Sequence, residues 1–422
     1  MGGNMMRFNA QFAALLLSGL ALAGTASAQN LIVTNARIIV GNGQVIEKGS
    51  IEVRAGKIVS VAAGAAPAAA GAKVIDAAGM TVMPGFIDDH RHLVYGPPEK
   101  YFAEQAADRM RELLEAGYTT VQSGGDNPDG ILELKSKVES GAIKGPRILA
   151  SAPVPLATLK TDAEVRAAVA KAKASGADSI AEVIYPLKSQ PFAPSDLERN
   201  NLRVAIDEAN KQGIPLQVHA VSPQAMADAA SLGARKLVHT PHFGWVTVAQ
   251  AQVLKTAGAQ VASCSGFGAP VFNVFNKDNK PTFRDGRPWP EGILDGEGRG
   301  QEAGYKPVNG RTLFDTGVTY GYCTDTTYNA TMALAHELKV LNLMFSPTDL
   351  IKIMGPNSAA FIDRGADLGT LEPGKLGDLV VLTGNPFDGY WNLLTTVVVA
   401  KAGEVMVDKR AQLKTVKALP PK

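Results

Sequence analysis

The chain has 422 residues, 45% of them hydrophobic and 19% charged, the composition of a globular protein and not of a disordered or fibrous one. With 42 Lys plus Arg against 40 Asp plus Glu the formal charge is +2, so no basic field marks a nucleic-acid binder or a protein held to anionic lipid. A (β/α)8 barrel takes about 250 residues, and the remainder is enough for a smaller companion domain.

At the N-terminus Arg7 precedes an apolar run over residues 12–23, followed by Ala26-Ser27-Ala28. This order of charge, apolar run and small residues predicts a signal peptide over 1–28, removed before Gln29. The run is shorter than the ~20 residues of a membrane span, so no span is expected in the mature chain and the destination is periplasmic or extracellular. In such a compartment Cys264 and Cys323, the two cysteines, either pair or stay as two buried thiols.

From 31 to 82 short runs of period-2 character alternate with turns such as Gly41-Asn42-Gly43, which predicts strands of a small β-sandwich or open barrel. Residues 62–71 are nearly all Ala, Gly and Pro, a loop. From 83 to about 371 the texture changes to strand and helix in alternation. Helical patterns over 99–115, 162–174, 202–212, 222–232 and 246–258 precede β-type runs at 119–122, 179–185, 215–219, 236–239 and 260–264, and a last run covers 317–323. With 86–87 and 147–149 the strands number eight. Such alternation argues a parallel (β/α)8 TIM-like barrel with its active site at the carboxyl ends of the strands. Residues 273–310 read as a long loop, and Phe272, Phe275, Phe283 and Trp289 would make it a partly apolar cover. Residues 377–382 and 395–407 are again β-rich. The expected division is a β-sandwich domain from 29–82 and 372–422, with the barrel over 83–371.

Four of the six histidines, His90, His92, His219 and His239, fall at the ends of three predicted strands. Residues two apart on a strand share a side, ~6.8 Å apart, so His90 and His92 can reach one ion while Arg91 points away. Asp325, after the last strand, adds a carboxylate. Imidazole with carboxylate suits Zn, with Mn, Co or Fe as alternatives. A lone His219 would read as a core histidine, and its company reverses that. His242 reads as loop or ligand-supporting, His336 as structural within a helical pattern, and Asp126, after Gly124-Gly125, as a further strand-end residue or only a turn residue. Arg147 reads as a strand anchor or a partner for a substrate carboxylate. Tyr185, Tyr322 and Tyr328 stand near strand ends and could line the pocket.

The stretch Pro84-Gly85-Phe86-Ile87-Asp88-Asp89-His90-Arg91-His92 resembles the PGxIDxHxH motif of the amidohydrolase superfamily, near imidazolonepropionase-like members and metal-dependent prolidases. Leu114-Glu115-Ala116-Gly117-Tyr118-Thr119-Thr120-Val121, Gly145-Pro146-Arg147, Gly176-Ala177-Asp178, residues 368–382 and Asn385-Pro386 are similar to the same group, so the likeness covers nearly the whole mature chain. It implies a barrel with a split β-sandwich, one or two divalent metals and hydrolysis by metal-activated water. The resemblance implies His90, His92 and Asp325 on one ion and His219 with His239 on a second. For a single ion it implies His90, His92, His219 and Asp325, leaving His239 to polarise the carbonyl or orient water. Asp325 would take the water's proton and pass it to the leaving amine.

The sequence departs from the pattern where relatives with two metals carry a bridging lysine, for Ala181 stands there. Glu182 is one residue on and would face the other side of the strand unless a bulge intervenes. It reads either as a bridging ligand or as an outward structural glutamate, and Lys188 as a more remote candidate. The expected activity is hydrolysis of an amide or peptide bond in a small molecule such as an N-acyl amino acid, dipeptide or cyclic amide. The alternatives are a deaminase or ester/lactone hydrolase on the same site, or a non-catalytic exported binding protein. The expected partner is the small molecule, not nucleic acid; a homo-oligomer stays open.

Overall fold

Chain direction and side-chain pattern organise the molecule before any helix is placed. The computed structural model describes residues 30–66, 70–186, 193–266, 301–327 and 329–413. The predicted signal peptide, Lys188, Tyr328 and the aromatic residues at 272–289 lie outside them.

Strands β1 (Leu31–Ile39), β2 (Val45–Arg54), β3 (Lys57–Ala63), β4 (Lys73–Asp76) and β5 (Thr81–Pro84) come first. The middle of the chain then gives β6 (Phe86–Arg91), α1 (Pro98–Glu104), α2 (Ala106–Ala116), β7 (Tyr118–Ser123), α3 (Pro128–Glu139), β8 (Arg147–Leu149) and β9 (Ser151–Pro153). It continues with α4 (Asp162–Ala174), β10 (Ser179–Ile184), α5 (Asp196–Gln212), β11 (Leu216–His219), α6 (Pro223–Ser231), β12 (Lys236–Val238), α7 (Val248–Ala257) and β13 (Gln260–Ala262). The series closes with α8 (Gln301–Thr316), β14 (Thr319–Gly321), α9 (Ala330–Leu341), α10 (Pro347–Lys352) and α11 (Ser358–Phe361), followed by β15 (Leu379–Leu382), β16 (Thr396–Lys401) and β17 (Glu404–Asp408).

The two ends of the chain meet in one eight-stranded sheet, ordered β17-β16-β15-β5-β1-β2-β3, with β4 also on β1. The seam is β5 against β15, antiparallel, Thr81 opposite Leu382 and Pro84 opposite Leu379. Leu31, Ile51, Val82, Leu379 and Val398 pack into its own core. The rest is a mixed α/β fold whose strands run parallel in two arcs, β6-β7-β8 and β14-β13-β12-β11-β10-β9. The arcs join because β8 and β9 are one strand interrupted at Ala150, whose N–H is taken by the Asp178 carboxylate at 2.7 Å. At the other side Asp89 N–H donates to the Tyr322 carbonyl and Asp325 N–H to that of His90, both 2.9 Å. Ile87, Leu149, Val238, Ala262 and Phe361 form one cluster, contributed by β6, β8, β12, β13 and α11.

The helices begin where side chains satisfy their free N–H groups. Capping boxes start α4 (Thr161 with Glu164), α5 (Ser195 with Glu198) and α7 (Thr247 with Gln250). Two expectations are corrected. The single helix over 99–115 is two, α1 and α2, because Gln105 leaves helical geometry at φ −130°. Residues 301–310 are not loop but the start of α8, which holds Pro307 inside it.

Candidate metal centre

Each predicted metal-binding residue stands at the carboxyl end of its strand. His90 lies in β6 and His92 just beyond it, Glu182 in β10, His219 at the end of β11, His239 just after β12, and Asp325 four residues past β14. One atom each from His90, Glu182, His239 and Asp325 lies within 4.8 Å of the others.

Glu182 reaches this cluster through a bulge. Between the pairs Ile180–Leu216 and Val183–Val218 strand β10 carries one residue more than β11, and Glu182 takes φ +55°. The extra residue turns its side chain inward: Oε1 is 3.0 Å from His90 Nε2 and Oε2 is 3.4 Å from His219 Nδ1. Asp325 Oδ1 is 3.2 Å from His92 Nε2 and 3.6 Å from His90 Nε2, and its Oδ2 is 3.6 Å from His239 Nδ1. His219 Nδ1 and His239 Nε2 are 2.9 Å apart. His90 and His92 thus both face Asp325, while Arg91 points away to Thr324. The space is kept by Gly124, where a Cβ would stand 2.9 Å from His90 Nε2 and 3.2 Å from His92 Cε1.

The groups set one another's charge. Burial works against the Glu182 and Asp325 anions, but neighbouring imidazoles outweigh it, holding Glu182 well below the carboxylate range and Asp325 at about 2. Burial also opposes charge on His90 and His92. The Glu182 hydrogen bond, with the Glu182 and Asp325 charges, nevertheless raises His90, and Asp126 with Asp325 pushes His92 up to about 10. His239 goes the other way, held well below the usual histidine range by burial. Imidazoles and carboxylates converging from five strands, with no Lys or Arg among them, fit a divalent ion of borderline softness.

Two residues support the ligands, and of these Gln217 escaped the sequence reading. Gln217, buried two residues before His219 on the same strand face, sets its Oε1 3.3 Å from His90 Nδ1. Asp126 is more than a turn residue: its carboxylate accepts the N–H of Leu93 (3.0 Å) and Val94 (3.3 Å) and stands 3.7 Å from His92 Nδ1. The period of two could have flagged Gln217; for Asp126 the strand-end position was the local signal, and its partners were not legible. Tyr185 and Tyr322 do not line an open pocket, for both are buried, Tyr185 donating to Asp228 and Tyr322 sharing a 2.7 Å hydrogen bond with Tyr118. Arg147 anchors its strand, donating to Thr120 and Asp378. His242 and His336 do not join the four-residue cluster. Cys264 and Cys323 form a disulfide across the ends of β13 and β14.

Comparison with known sequences matches residues 81–279 to the Amidohydrolase family. An imidazolonepropionase of Caldanaerobacter subterraneus subsp. tengcongensis is 23% identical over 86% of this chain and 91% of its own. Residues 81–279 thus carry an amidohydrolase-family domain, which supports membership of the amidohydrolase superfamily. Solved structures with the same fold include a putative prolidase from Bifidobacterium longum (TM-score 0.73, 24% identity, 92% of this chain and 98% of that one). A Xaa-Pro dipeptidase with methionine bound in its active site also aligns (TM-score 0.73, 22% identity, 89% and 99%). The family match and these relatives are consistent with a hydrolase acting on carbon–nitrogen bonds.

Proposed function

We propose that this amidohydrolase cleaves an amide or peptide bond in a small molecule, with the four-residue cluster and its neighbours as a metal-dependent catalytic centre. The reading includes closure of the two parallel arcs into one (β/α)8 barrel, supported by the backbone bonds between β6 and the segment after β14. It includes the sandwich domain from both chain ends, supported by the β5–β15 seam. The observation that carries it is the convergence of His90, Glu182, His239 and Asp325 at the carboxyl ends of their strands. His90, His92 and Asp325 would hold one divalent ion, His219 and His239 a second, with Glu182 between them. The bound metal supplies polarisation of the scissile carbonyl and acidification of water.

The chain's own groups do the rest. Asp325, kept ionised, accepts the proton of the attacking water and returns it to the leaving amine. Oδ2, on the His239 side, is the atom placed to hold it. Glu182 spans His90 and His219 and keeps the two halves in register. Gln217 and Asp126 orient His90 and His92 from behind.

Export to an oxidising compartment belongs to the same reading and is supported by the apolar N-terminal run and the disulfide. Metal content per chain is the test of the site: two ions in the wild type should fall to one in Glu182→Ala, and an unchanged count removes Glu182 from the bridge. Hydrolysis of a panel of N-acyl amino acids, dipeptides and cyclic amides, with Zn, Mn or Co supplied, tests the activity. Release of ammonia in place of an amine would mark a deaminase, and no turnover at all would overturn the catalytic proposal.

A further inference from the structure

The segment leaving His239 is built as a rigid strap. Thr240 N–H and its hydroxyl both donate to the Ser263 carbonyl, at 3.0 and 2.8 Å. His242 N–H and Phe243 N–H both reach the carbonyl of Val221, two residues past His219, at 3.0 and 3.3 Å. From α8 the buried Asn309 amide donates to the carbonyls of Pro241 and Gly244, both 2.9 Å, and its oxygen accepts Val246 N–H at 2.8 Å. Residues 240–246 are thereby fixed across the ends of β11 and β12, the strands that carry His219 and His239.

This strap presents Trp245, 51% exposed, with its ring centroid 4.2 Å from that of Tyr305, four residues before Asn309 on α8. A half-exposed tryptophan on a preorganised segment just past two cluster-bearing strands is apolar contact area open to a bound molecule. Two other cluster-bearing segments also carry exposed apolar side chains: Tyr95, three residues past His92, and Ile184, the last residue of β10 and two past Glu182. Residues 240–250 include no Asp, Glu, Lys or Arg, so this wall offers contact area and no charge for recognition.

We propose that Trp245, braced by Tyr305, is a specificity-determining wall of the substrate site, selecting small amides that carry an apolar or aromatic side chain. The inference deepens the hydrolase reading and rests on the same site. An aromatic substituent laid against the indole leaves water and gains ring–ring contact, whereas a glycine-like substrate gains neither.

Calorimetric titration of the metal-loaded protein with N-acetyl-L-phenylalanine and N-acetylglycine reads the selection directly. The wild type should bind the phenylalanine derivative about ten-fold more tightly, the advantage of one well-placed aromatic contact. Trp245→Ala should bring that ratio close to one, Trp245→Phe should keep most of it, and Trp391→Ala, at a distant exposed tryptophan, should leave it unchanged. Should the alanine variant not fold by circular dichroism, Trp245→Gln and Tyr305→Ala carry the same expectation. A wild-type ratio near one, or a ratio that survives in folded Trp245 variants lacking the ring, overturns the proposal. Turnover of the amide panel is scored separately. Amide hydrolysis without Trp245-dependent selection defeats this inference alone, whereas selection without hydrolysis of any amide defeats the hydrolase reading and leaves the apolar wall standing.

Discussion

His92 shows how two carboxylates hold a proton on an imidazole that a cation has to displace. With Asp126 on its Nδ1 side and Asp325 on its Nε2 side, His92 is pushed up to about 10, and His90 is raised as well. A metal taking those nitrogens must displace their protons. The sign follows: metal affinity rises with pH between 6 and 8, by up to about ten-fold per pH unit for each proton released. Chelator competition at pH 6, 7 and 8 would measure it, and a flat profile would contradict the protonation described here. Asp126→Asn keeps the shape and removes the charge, so metal affinity should fall about 10–100-fold while the circular dichroism spectrum is retained. At this scale the four histidines and Asp325 were legible in the sequence, because strand ends and a period of two are local. The inward turn of Glu182 was not, since a bulge exists only relative to the neighbouring strand.

Helix α9 and the turn after β13 are joined by one buried group. Glu337 accepts the Ser263 hydroxyl at 2.5 Å and the N–H of Ser265 at 2.8 Å, and also takes Gly266 N–H. Burial raises its carboxyl to about 7 against hydrogen bonds that lower it. Because the folded state holds the proton more tightly, this contribution to stability is complete below about 4.5 and is lost as pH rises through about 7. Unfolding free energies at pH 5 and pH 8 should therefore differ less in Glu337→Gln than in the wild type, by about 2–3 kcal/mol. An identical pH dependence in both would show that Glu337 does not titrate in this range. Helix α8 makes the complementary point. The stretch 273–310 reads as a loop in the sequence, but Asn309 and Tyr305 gain partners on the strap at 240–246 when residues 301–316 are helical, and tertiary contacts override weak propensity.

Across the whole molecule, two ties connect parts that are remote in sequence. The disulfide closes a separation of 59 residues at the ends of β13 and β14, and such a loop stabilises by about 4 kcal/mol. Denaturant unfolding with and without reductant should show a loss of that size, and no difference would mean the cysteines are not paired in solution. Between the parallel strands and the terminal sheet, Arg147 donates to the buried Asp378 at 2.7 Å, and Lys401 to the Gly145 carbonyl at 2.7 Å. Arg147→Ala leaves the Asp378 carboxylate without its cation and should cost about 3–5 kcal/mol in the same assay. If the proposed export holds, mass spectrometry of the mature protein should find a chain that begins at Gln29, and an intact N-terminus would overturn it.

The sequence by itself determined the alternation of strands and helices, the β-rich ends and the types of residue in the centre, because these rest on local periodicity, capping and motif spacing. Only the tertiary structure decided that Glu182 faces the histidines, that Asp126 and Gln217 stand behind them, that the two cysteines pair, and that Asn309 pins the strap bearing Trp245. Each of those depends on register or on contacts between distant segments, and a linear pattern holds no record of which residue will lie opposite which.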